Sequence, residues 1–115
     1  MHDARMPLIA EALLSDLARR LRDAPVPRVK ALHLPPVPWN GSKDGEFGAV
    51  ELDSGAMGLS YVLLNDTLAA LAGVDGQTLV GTDALALARR WCDGQGTERT
   101  LGFAAVNALS RHLFD

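Results

Sequence analysis

The sequence predicts an α+β domain, a three-stranded antiparallel sheet covered on one face by helices. Three observations carry that reading. The chain opens with an amphipathic helical pattern, holds two strand-like runs joined by Asp53-Ser54-Gly55 at its centre, and closes on two helical segments. At 115 residues it is the length of a single domain, spanning 1–115. Its 48% hydrophobic and 22% charged residues are those of a globular chain, which excludes disorder and a coiled coil.

The first helix is expected over 7–23. Ala10, Leu13, Leu14, Leu17 and Leu21 follow the spacing that lines one face of a helix, and Glu11, Asp16, Arg19, Arg20 and Asp23 fill the other. Pro7 suits the first turn, where its missing N–H has no helical partner. Pro25 and Pro27 stop the helix.

A first strand is expected over 28–34, with Val29, Ala31 and His33 on one side and Lys30, Leu32 and Leu34 on the other. Pro35, Pro36 and Pro38 lack the N–H groups that either ladder needs, so Pro35 to Gly45 reads as an exposed loop. The hairpin strands are expected over 46–52 and 56–64, with Gly55 supplying the positive φ of the turn. Asn65-Asp66 closes the second of them, and Thr67 to Ala72 adds a helical turn. Thr82 is the expected N-cap of a helix over 83–92, on which Ala84, Leu87, Ala88 and Trp91 form an apolar stripe ended by Gly94. Thr97 is the expected cap of the last helix, 97–113.

Several function classes fall away. A net charge of −3 gives no reason to expect nucleic acid or an anionic membrane as partner. No apolar run approaches the roughly 20 residues of a membrane span, and Met1 to Arg5 lacks the layout of a signal peptide. The single cysteine, Cys92, excludes an internal disulfide and fits a reducing cytosol, so a cytoplasmic location is expected.

The last helix is the most informative segment. Leu101 to Leu109 is apolar on every side except at Asn107, the pattern of a helix buried all round or forming an interface. Gly102, Ala104, Ala105 and Ala108 are small enough to let a sheet or a second helix approach its backbone. Gly102 lowers helix stability by roughly 1 kcal/mol relative to alanine, for which close packing is the usual compensation. An unpaired buried amide costs on the order of 1–3 kcal/mol, so Asn107 is expected to tie the helix to a neighbouring loop or to face a cleft. Glu98, in the first turn, is favoured by the helix dipole whatever else it does.

No catalytic constellation emerges. His2, His33 and His112 are scattered, no Cys-x-x-Cys or His-x-x-His spacing occurs, and neither a metal site nor a cofactor is expected. Cys92, near a helix C-terminus that disfavours a thiolate, reads as packing. The glycines form no phosphate loop, Gly94-Gln95-Gly96 reads as a tight interhelical turn, and Ser54, Ser60 and Ser110 lack an elbow sequence.

The run Glu98-Arg99-Thr100-Leu101-Gly102-Phe103-Ala104-Ala105-Val106-Asn107-Ala108 resembles the signature helix of an enolase-N-terminal-like family, domain of unknown function 4213. Phe47-Gly48-Ala49-Val50-Glu51-Leu52 and Gly58-Leu59-Ser60-Tyr61-Val62 resemble its second and third strands. The resemblance implies an enolase N-terminal-domain-like fold that usually precedes a Rossmann-like domain named for heavy-metal chelation. It further implies a ligand site in the cleft between the two, with Glu98 and Asn107 as the matched polar positions. Against that pattern the Pro35–Gly45 loop is long, and the Rossmann-like half, to which the metal-binding name belongs, is expected to be absent from these 115 residues.

Two readings stay open at this point. In the first, the chain is an accessory module that completes a ligand site by docking on a Rossmann-like partner, or on itself through its Gly/Ala-rich last helix. In the second, it is a stand-alone ligand-binding protein or enzyme whose pocket lies between hairpin and last helix, lined by Glu98, Asn107, Tyr61 and His33.

Overall fold

A computed structural model of the chain describes residues 5–34, 47–62, 67–73 and 76–114, and leaves aside the side chains of 5–8, 61 and 67–69. His2, the Pro35–Gly45 loop, Asn65-Asp66 and the side chain of Tyr61 lie outside the described residues. The elements run α1 (Arg5–Arg20), β1 (Val29–His33), β2 (Phe47–Leu52), β3 (Met57–Tyr61), α2 (Thr67–Ala72), a 3-10 turn (Gly76–Thr78), α3 (Ala84–Ala88), α4 (Arg90–Asp93) and α5 (Thr97–Phe114). The strands form one antiparallel sheet in the order β1-β2-β3, packed against helices, and the fold is α+β. Among the described residues no helix is long and apolar enough to cross a membrane.

Helix α1 buries Ala10, Leu14, Leu17 and Leu21, four of the five positions expected. Leu13 is more than one-third exposed, because it falls at the margin of the stripe. The helix ends earlier than expected, and Leu21 remains in the core through a last bond from its N–H to the Leu17 carbonyl, 3.0 Å. Asp16 accepts from Arg19 and, at 2.9 Å, from Arg20. The Arg20 hydrogen bond is the main cause holding its carboxyl below the usual range.

Strand β1 does not alternate as expected. The register shifts between Val29 and Ala31, so Val29 pairs with Leu52 while Ala31, Leu32 and His33 pair with Glu51, Val50 and Ala49. A bulge of this kind inserts one unpaired residue and resets which side chains face the core. Val29 thereby becomes a buried residue, and Leu32 and Leu34 pack on the same core. The bulge is held from both sides. Val29 exchanges backbone bonds with Thr82 (2.9 Å) and Gly81 (2.8 Å), while the Asp53 N–H donates to the Arg28 carbonyl at 2.8 Å.

The hairpin turns over Asp53-Ser54-Gly55 as expected. Gly55 has φ +92°, its N–H donates to the Leu52 carbonyl at 2.9 Å, and the Leu52 N–H donates to the Ala56 carbonyl at 2.9 Å. This is a three-residue loop with glycine at the left-handed position, which fixes the register of everything beyond it. Gly48, Val50 and Leu52 of β2 and Gly58 and Ser60 of β3 then face the helices.

The segment 82–93 departs twice from expectation. Its cap is Asp83 rather than Thr82: the Asp83 carboxylate accepts from the N–H groups of Leu85 (2.8 Å) and Ala86 (3.0 Å). Thr82 is held in extended pairing with β1 and cannot cap. The expected single helix is also two, α3 and α4, with Arg89 between them. Likewise the first bond of α5 goes from the Thr100 N–H to the Gly96 carbonyl (3.2 Å), so Gly96 at φ +60° precedes the helix and Thr97 is inside it.

Helix α5 is the centre of the core. Leu101, Gly102, Ala104, Ala105, Val106, Ala108 and Leu109 are buried, against Leu17, Val50, Leu52 and Leu87 from the other elements. Its small residues are used inside the chain: Ala104 and Ala108 lie against Gly58 of β3, and Gly102 lies against Arg90 and Trp91 of α4. They are buried within the chain. On its outer side Phe103 meets Trp91 with ring centroids 5.4 Å apart.

Candidate functional site

Two candidate surfaces lie around the hairpin. The first is the outer face of the sheet, opposite the helices. Phe47, Ala49 and Glu51 of β2 share it with Met57 and Leu59 of β3 and with Ala31 and His33 of β1, because residues two apart point the same way. Phe47, Met57 and Leu59 are 42%, 39% and 50% exposed, a run of large apolar side chains on a face that a lone globular domain would be expected to cover.

Beside this apolar run lies a polar group of three, His33, Glu51 and Lys30. His33 Nε2 donates to Glu51 Oε1 at 2.9 Å, and Lys30 Nζ is 3.6 Å from Glu51 Oε2. The His33 hydrogen bond, followed by the Lys30 charge, holds the Glu51 carboxyl below its usual range despite some opposing desolvation. A carboxyl with a depressed folded-state pKa contributes stability that is complete at neutral pH and disappears as pH falls through that value. The expected result in urea unfolding at a series of pH values is a smaller acid-side loss in Glu51→Gln than in the parent, between about pH 5 and pH 3. Equal slopes would show that the His33–Glu51 pair does not couple to folding. Asp16 adds to the parent's acid sensitivity in the same direction, so the difference between the two proteins is the quantity to read.

The second surface is a cleft of about 580 Å³ between the hairpin turn and the end of α5, lined by Ser54, Gly55, Ala56, Met57, Leu59, Arg111 and His112. A smaller concavity of about 160 Å³ lies between α1 and α4, with Glu11, Ser15, Arg89, Cys92 and Asp93 around it. Burial, and after it the Glu11 charge, pushes the Cys92 thiol up, so the thiolate that a nucleophile or a soft-metal ligand requires is disfavoured there.

The four residues singled out from the sequence occupy different places. Asn107 donates from Nδ2 to the Leu59 carbonyl at 2.7 Å, tying α5 to a strand and not to a loop. Glu98 is exposed in the first turn of α5. Nine residues separate Glu98 from Asn107, about 13 Å along the axis and on opposite sides of a helix with 3.6 residues per turn. His33 lies on the outer face of β1, and Tyr61 pairs through its backbone with Phe47 at the far end of β3. The structure thus brings His33 to Glu51 and Asn107 to Leu59. It does not line the cleft with Glu98, Asn107 or His33 among the described residues. Glu51, Arg111 and the exposed pair Met57 and Leu59 were not singled out from the sequence. The signal for the sheet residues was there, since a turn centred on Ser54 fixes that Glu51, Met57 and Leu59 share a face.

The Asn107 bond is open to a direct test. Asn107→Leu removes a donor from a strand-edge carbonyl that water can partly reach, and is expected to cost about 1 kcal/mol in denaturant unfolding. A variant as stable as the parent would show that the bond adds nothing to the fold.

Among the described residues no group of three or more His, Cys, Asp or Glu side chains could hold a metal ion. Comparison with curated proteins finds no match, and comparison with solved structures finds none either. The model of the DUF4213 family, described as "Putative heavy-metal chelation", matches residues 46–110, which run from the start of the hairpin to near the end of α5. That is more than half of the chain, and the chain belongs to this family.

Proposed function

We propose that this chain is an accessory module of enolase N-terminal-like architecture, which docks through the open face of its sheet on a Rossmann-like protein in the cytoplasm and completes a ligand site at their junction. The observation that supports this reading is the outer sheet face. Phe47, Met57 and Leu59 stand exposed beside the balanced His33–Glu51–Lys30 group, an apolar centre with a polar margin. Membership of the family supports it too, because the matched segment contains β2 and β3, which supply Phe47, Met57 and Leu59 to this face.

The family description raises heavy metals, and the described donor set does not fit one. His33 and Glu51 are in contact but are only two in number, and the Lys30 ammonium 3.6 Å from Glu51 opposes a further cation. No step through a metal is assigned to this chain.

The test is capture from the native host with the tagged chain, identification by mass spectrometry, and repetition with the purified partner. Recovery of a Rossmann-like protein whose binding is lost in Leu59→Lys supports the module. A chain that stays monomeric at high concentration and retains no Rossmann-like protein overturns it, and a homo-oligomer broken by Leu59→Lys makes a second copy the occupant of this face.

A further inference from the structure

We draw no further inference here: the strongest candidate, the cleft of about 580 Å³ between the hairpin turn and the end of α5, is bordered by the exposed side chains of Met57 and Leu59, and nothing in the structure shows what covers it.

Discussion

Gly58→Ala is expected to destabilise the chain by about 3 kcal/mol, the upper end of what overpacking costs. A Cβ on Gly58 would fall well inside van der Waals contact of the Ala104 carbonyl oxygen and the Ala108 amide nitrogen, and 2.8 Å from the Asn107 carbonyl carbon. All three are backbone atoms, so no rotamer change can relieve them. The sheet and α5 must separate, and Val50, Leu52, Ala105 and Leu109 lie in the core between them. In a domain of this length a loss of that size lowers Tm by on the order of 10–20 °C. Gly76→Ala is the control: its Cβ would meet Leu32 Cβ at an ordinary 3.7 Å, and a change within about 0.5 kcal/mol is expected. Urea unfolding of both variants checks the contrast. A loss below about 1 kcal/mol for Gly58→Ala would mean that α5 is not seated on β3 as described.

That contact shows what the sequence could and could not reveal. The small residues of 101–109 announced a helix whose backbone something approaches closely. Which glycine meets which alanine depends on the register of β3, and register follows from the turn. Local signals carried α1, the hairpin and α5, because periodicity and the Asp53-Ser54-Gly55 turn act over a few residues. The errors arose where backbone bonds join distant segments. Thr82 and Asp83 are both capping types, with Asp the stronger; the Thr82 carbonyl accepts from Val29, fifty-three residues earlier, and Asp83 caps. The bulge at Val29 has the same origin, since Gly81, Thr82 and Asp53 hold that strand in place from outside it. For the candidate site, His33 was legible as a titratable group on a strand, but its partner Glu51 becomes visible only once β1 and β2 are paired. Glu98 and Asn107 were grouped because they share a helix, and the phase of that helix separates them.

The sharpest conflict between local and tertiary rules is at Gly102, where they predict opposite signs. Helix propensity alone says that Gly102→Ala stabilises α5 by roughly 1 kcal/mol. The packing says otherwise. An added Cβ would meet the backbone of α4, lying 2.7 Å from the Arg90 carbonyl carbon and 3.0 Å from Trp91 Cα, with the Trp91 amide nitrogen closer still. Helix α4 has only four residues and no side-chain cap, so it can yield more readily than β3 can at Gly58. Displacing it would disturb the Trp91–Phe103 ring pair, whose centroids are 5.4 Å apart. Overpacking of about 3 kcal/mol, offset by the propensity gain, gives an expected net loss of about 2 kcal/mol. Denaturant unfolding measures the sum, and Trp91 fluorescence in a Trp39→Phe background reports whether α4 has moved. A stability loss with shifted emission means that α4 gives way while β3 and α5 keep their seat. A gain of about 1 kcal/mol with unchanged emission would mean that propensity governs Gly102 and that α4 does not rest on it.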